Sequence, residues 1–219
     1  MIYPNGDTFV GSFNDNKDKH GPATYTWSTQ PGANPWVPEA EEEEEADAKG
    51  GFPADRVVKF EGSYHEGKKQ GVGKITFPNG DRYHGTWEND KIHGEGTYYY
   101  INGDIYSGEW KEGKKHGQGA YVFGQDKSQL IGSFENGHIT HGKWVFKDGT
   151  SWHGSFTNNK PIGRGIFYFP NGNQQSGEYV EIGDAEDEET ELKLEWRGNT
   201  TEPSTKSSFE LLKSQPISS

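Results

Sequence analysis

The sequence predicts an all-β protein, an elongated single-layer twisted antiparallel meander of hairpin repeats, interrupted by an acidic insert and followed by a mostly disordered acidic tail. Three observations predict it. An aromatic-x-Gly-x-aromatic opening recurs as Phe60-Glu-Gly62-Ser-Tyr64, Tyr83-His-Gly85-Thr-Trp87, Tyr106-Ser-Gly108-Glu-Trp110 and Trp152-His-Gly154-Ser-Phe156, with Leu130-Ile-Gly132-Ser-Phe134 among them. The glycines of these five copies step by 23, 23, 24 and 22 residues, and a fixed period of this length marks a stacked repeat. The third observation is composition. Only 29% of the chain is hydrophobic, while 7 Trp, 11 Tyr and 12 Phe carry much of the apolar area, which suits hairpins held by rings better than one compact aliphatic core.

The first element, residues 1–27, is a repeat region. Phe9-Val-Gly11-Ser-Phe13 opens it, and His20-Gly21-Pro-Ala-Thr-Tyr25-Thr-Trp27 closes it, with Pro22 and Ala23 departing from the usual Gly-x-Gly. Met1-Ile-Tyr-Pro-Asn-Gly6 parallels Phe77-Pro-Asn-Gly80, so it reads as the second strand of an incomplete repeat and not as a signal peptide. Residues 28–58 break the period with four prolines and the run Glu39-Ala-Glu-Glu-Glu-Glu-Glu45-Ala-Asp47. A run of that composition is expected to form a solvated insert loop.

Residues 59–180 are the repeat array. Strand alternation places Tyr106, Gly108 and Trp110 on one face, with Ser107 and Glu109 on the other. The same alternation groups Gly117, Gly119, Tyr121 and Phe123. Glycine weakens a strand unless something lies against it, so these glycines read as seats for rings. The residues expected to stack within the array are Tyr83, Trp87, Tyr98, Tyr100, Tyr106, Trp110, Tyr121, Phe123, Trp144, Trp152, Phe156, Phe167 and Phe169. Asn79-Gly80, Asn102-Gly103, Asp148-Gly149 and Asn171-Gly172 are turn dipeptides at the handover between repeats. The Gly-x-Gly stretches read as the other turns. Two departures adjoin one another: a longer loop at Gly124–Gln129, and Thr140-His-Gly142-Lys-Trp144, which lacks the second glycine and predicts a local bend or register change. Gln175-Ser-Gly177-Glu-Tyr179 closes the array.

Residues 181–219 turn acidic and then Ser/Thr-rich. They are expected to be mostly disordered when free, with a short strand over Glu191-Leu-Lys-Leu-Glu-Trp196 and a helical turn at Phe209-Glu-Leu-Leu-Lys213.

The repeat units resemble the membrane occupation and recognition nexus, or MORN, repeat on Tyr106-Ser-Gly-Glu-Trp110, Lys-Lys-His116-Gly117-Gln-Gly119 and the aromatic strand that follows. A narrower resemblance is to the radial spoke head protein 1 group of cilia and flagella. Gly96-Thr-Tyr-Tyr-Tyr-Ile-Asn102, Asn158-Asn-Lys-Pro161-Ile-Gly163, Ser176-Gly-Glu-Tyr179 and the acidic tail carry it. That resemblance implies a location in the ciliary or flagellar axoneme. It implies neighbours from the spoke head scaffold family, contact with central pair projections and a mechanical role in motility.

Charge and motifs exclude several classes. The net charge is -12, yet residues 59–180 hold 14 Lys/Arg against 13 Asp/Glu, so insert and tail make the protein acidic. The array has no clustered cations along a groove as nucleic acid requires, and no polybasic segment for an anionic membrane. With no cysteine, thiolate metal sites are excluded, and a reducing compartment is compatible. Gly67-Lys-Lys-Gln-Gly-Val-Gly73-Lys74-Ile75 departs from a phosphate loop in spacing and puts Ile75 where Ser or Thr would hold Mg²⁺. His20, His93, His116 and His141 recur about a repeat apart, which makes a row and not a metal cage. No nucleophile stands with a base and an orienting acid. The expectation is a non-enzymatic scaffold without catalytic, cofactor or metal residues.

Its candidate partner-interface residues are Tyr99, Val122, Val145 and Tyr168, on the face opposite the rings, with Trp196 and Phe209 in the tail. Open sheet edges also admit homodimerisation. The alternatives are a membrane- or phospholipid-associated MORN scaffold and another axonemal MORN protein.

Overall fold

A computed structural model describes residues 1–28, 58–182 and 193–204. The acidic insert run, the helical turn expected at Phe209 and most of the acidic stretch after Ile182 lie outside the described residues. The chain is all-β and divides into two compact units, Met1–Gly113 and Lys114–Ser219. The first holds β1 (Thr8–Phe13), β2 (Lys19–Thr26), β3 (Lys59–His65), β4 (Lys68–Thr76), β5 (Arg82–Glu88), β6 (Lys91–Tyr99) and β7 (Ile105–Lys111). The second holds β8 (Lys114–Val122), β9 (Gln129–Glu135), β10 (His138–Val145), β11 (Ser151–Thr157), β12 (Lys160–Tyr168), β13 (Asn173–Ile182), β14 (Lys193–Gly198) and the short β15 (Glu202–Pro203). Within each unit consecutive strands pair antiparallel in chain order, and β15 pairs with β13 beside β14.

The two kinds of connection have different chemistry. Inside the hairpins from β3 to β12 the link is a two-residue turn with both residues at positive φ, as at Glu66 (48°) and Gly67 (82°) or Asn89 (48°) and Asp90 (69°). This is the primed turn whose twist suits paired strands. Between hairpins the link is a three-residue loop such as Pro78-Asn79-Gly80, where only Gly80 is at positive φ (89°). Phe77 and Gly80 close that loop, the Gly80 amide donating to the Phe77 carbonyl at 2.9 Å. The Gly-x-Gly stretch, expected as a turn, is instead a bulge inside the second strand. Gly62 pairs with Gly73 and Ser63 with Gln70, so Gly71 and Val72 are extra residues. In the shortened copy only Thr140 is extra, between the pairs Ile139–Phe134 and His141–Ser133. Losing one residue of the motif thus shortens the bulge and leaves the hairpin intact.

The bulge separates the roles of the two glycines. The first, Gly71, takes φ 73°. The second, Gly73, lies under the ring of Phe60, and a Cβ there would fall 2.7 Å from Phe60 Cζ. The same ring lies over Gly62. Trp152 covers Gly154 and Gly165 in the same way, and Tyr83 covers Gly85 and Gly96. Phe60, Tyr83, Tyr106 and Trp152 are each fully buried.

The second rings Trp87 and Trp110 join neighbouring hairpins. Trp87 packs edge-on against Phe60 (5.2 Å between centroids) and against Tyr83 (5.6 Å). Trp110 repeats this against Tyr83 and Tyr106. Each indole N–H also donates backwards, Trp87 Nε1 to the Gly73 carbonyl at 3.3 Å and Trp110 Nε1 to that of Gly96 at 3.1 Å. A buried carboxylate adds a further link. Asp81 accepts from the Tyr98 hydroxyl and from the Ile101 amide, both at 2.8 Å, which ties one inter-hairpin loop to the next. Asp7 does the same with Tyr25 and Ser28. Stability is therefore built between hairpins, because no isolated two-stranded unit buries its own ring.

Candidate partner-binding face

Alternation along the strands gives each unit a ring face and an opposite face, and the ring face is largely consumed by packing. Of the thirteen residues expected to stack, Tyr83, Trp87, Tyr106, Trp110, Trp152 and Phe156 are buried, and Tyr98, Tyr100, Tyr121, Phe123, Trp144, Phe167 and Phe169 are half-buried. The half-buried set forms a second tier by the inter-hairpin loops, with Tyr98 beside Tyr100 (4.5 Å), Trp144 beside Phe146 (4.9 Å) and Phe167 beside Phe169 (6.2 Å).

The opposite face differs between the units. In the first unit it is open. Paired residues set two rows across the strands, Lys59–Thr76–Arg82–Tyr99 and Glu61–Lys74–His84–Thr97. All of these except Thr97 line a recess of about 530 Å³. Glu61 bridges two ammonium groups, Lys74 at 2.9 Å and Lys59 at 3.0 Å. The hydrogen bonds from Lys74 and Lys59 hold its carboxyl below the usual range. The Arg82 guanidinium stacks over Tyr99, 5.4 Å from the ring centre. Tyr99 itself is 39% exposed.

In the second unit a central row is closed. Val145 pairs with Gln129 and Ser151, and Tyr168 with Ser151. Val145, Gln129, Ser151 and Tyr168 are all buried, the first at 0% and the last at 6% exposure. His153 packs on Tyr168 at 4.8 Å between rings and meets the Ser151 hydroxyl at 3.0 Å. Val145 and Tyr168 are thus not presented for contact, because polar neighbours of intermediate size fill in around them. Val122 is half-buried. Beside this row His153, Arg164, Ser176, Glu178, Arg197 and Asn199 line a further recess of about 690 Å³.

Trp196 lies on the ring face. It contacts Phe167 (4.9 Å) and Tyr179 (5.1 Å) and covers Gly177 and Gly198 as Phe60 covers its own pair. Its Nε1 donates to Gln175 Oε1 at 3.0 Å. The strand expected at its position is β14, which extends the sheet past residue 180. Phe209 is outside the described residues.

The structure therefore brings Tyr99 into a recess, seals Val145 and Tyr168, and incorporates Trp196 into the ring stack. Sequence reasoning missed the cations around Tyr99 because Lys59, Lys74 and Arg82 are scattered along the chain and converge only through register. It also missed Asp7 and Asp81, although the recurrence of Asp directly after Asn-Gly at 7, 81 and 104 was the available signal.

The family pattern described as MORN repeat matches residues 9–30, 60–82, 83–105, 106–125 and 152–174, together about half of the chain. No curated protein matches the chain significantly.

Proposed function

The chain belongs to the MORN-repeat family, and from that premise we propose that it is a non-catalytic scaffold subunit of the radial spoke head in the axoneme of motile cilia or flagella. A MORN array is a repeat scaffold with a protein-binding or membrane-associated role. The observation that favours protein binding is the division of labour between faces: the rings are spent on stacking, while Tyr99 and its polar neighbours remain open on the other side of the first unit. The axonemal assignment is supported by the resemblance carried on Tyr98-Tyr-Tyr100, Asn158-Asn-Lys-Pro161 and Ser176-Gly-Glu-Tyr179. Its partners on this reading are spoke head scaffold proteins, with central pair projections as transient contacts.

Affinity purification of tagged full-length protein from salt-released axonemes, followed by mass spectrometry, tests the reading. Co-purification of spoke head components is expected. Recovery with membranes and lipid enzymes, free of axonemal proteins, would overturn it in favour of a membrane-associated scaffold.

A further inference from the structure

We propose that the recess on the open face of the first unit is a docking slot for an acidic peptide segment in extended conformation. The inference deepens the scaffold reading and rests on it.

The slot is unbalanced in charge. Lys59, Lys74 and Arg82 share the recess with a single carboxylate, Glu61. Glu61 is already shared by two lysines, and each ammonium carries three donors, so donors remain on both. Among the described residues Arg82 forms no ion pair with a carboxylate; its contact is the face of Tyr99. Contact with a ring face consumes none of the five N–H donors of a guanidinium, which stay available to a bidentate acceptor. Cations set side by side on a strand surface repel and cost stability. A polyanion laid between them offsets that cost.

Geometry favours an extended peptide over other anions. Strands lie ~4.8 Å apart, so cations one or two strands apart are separated by about 5–10 Å. An extended segment projects carboxylates to one side every ~7 Å, which lets successive acids meet cations on β3, β4 and β5. Tyr99, 39% exposed, adds an apolar wall for an intervening side chain.

The chain carries a competitor of the same chemistry. The connector from β2 to β3 leaves and rejoins the sheet at this recess, where Trp27 donates to the Val58 carbonyl at 3.0 Å and Thr26 pairs with Lys59. Within it stand Glu39, Glu41 to Glu45 and Asp47. The test controls for this run.

Fluorescence anisotropy of a labelled alternating Glu-Ala peptide is measured against the full-length parent, a full-length chain with Glu41 to Glu45 replaced by Gln, and Arg82→Glu and Lys74→Glu each made in both backgrounds. Circular dichroism verifies folding; Lys74 and Arg82 are exposed, so both reversals leave the core untouched. Binding is expected to the parent or to the Gln-substituted chain, weakened about tenfold by either reversal and by raised salt. Absence of binding to both chains, or equal binding by the reversed variants, would overturn the proposal. So would Arg82-dependent capture on phosphatidylserine vesicles without peptide binding. If peptide binding fails while spoke head components still co-purify, the slot is refuted and the scaffold role stands.

Discussion

At the scale of single residues, the protein depends on atoms that are missing. Gly73 sits beneath Phe60, and a Cβ there would fall 2.7 Å from Phe60 Cζ and 2.8 Å from Cε2. Phe60 is fully buried and cannot yield without disturbing Tyr64 and Trp87, which pack edge-on against it. Gly73→Ala is therefore expected to destabilise by about 1–3 kcal/mol, the usual cost of overfilling a packed site, read as a lowered urea midpoint. Gly71 is the contrasting case, since nothing lies within 4 Å of a Cβ there and its constraint is φ 73° alone. The ring-seat role of the second glycine was legible from the alternation of Gly and aromatic residues. The role of the first was not, because a bulge and a turn both call for a glycine with positive φ.

At the scale of elements, the hairpin turns show where the chain departs from its own best chemistry. Glu66, at φ 48°, fills the first position of a primed turn that Asn occupies at Asn89, Asn136 and Asn158. A left-handed conformation costs an ordinary L-residue ~1–2 kcal/mol and Asn less. Glu66→Asn is expected to raise stability by about 0.5–1 kcal/mol, seen as a higher urea midpoint with an unchanged slope. Among the described residues the ion pair forgone is the loose, exposed contact of Glu66 with His65 at 3.9 Å, of a kind worth little. Pro161 belongs to the same scale. The Asn158-Asn-Lys-Pro161 segment is divided between a turn at Asn158 and Asn159 and a strand beginning at Lys160, with Pro161 opposite Phe156.

At the scale of the whole molecule, the ring network makes stability sensitive to alkali. Burial raises the hydroxyl pKa of Tyr64, Tyr83, Tyr98 and Tyr179 above the ordinary value of 10.0. Burial with the nearby Asp81 and Asp104 carboxylates pushes Tyr100 up to about 12. Because the folded-state value exceeds the unfolded one, the unfolded chain loses protons first as pH rises. The contribution to stability is fully present below pH about 10 and is lost as pH climbs toward 12 and beyond. Tyrosinate absorbance and circular dichroism followed together should show ionisation of these rings coinciding with loss of sheet. Independent ionisation of the rings in a folded protein at moderate pH would contradict the burial.

Period, alternation and ring content were determined by the sequence alone, because a repeat writes the same local instruction many times and each copy corroborates the next. An all-β meander follows from them with no tertiary information. Which rings would be spent on packing and which surface would stay open was decided only by the tertiary structure. Strand register carries Lys59, Lys74, Arg82 and Tyr99 into one recess from four strands, and the same register buries Val145 and Tyr168 behind Gln129, Ser151 and His153. Alternation assigns a residue to a face. Whether that face is open depends on the size and polarity of neighbours on the paired strands, and those neighbours are adjacent in space without being adjacent in the chain.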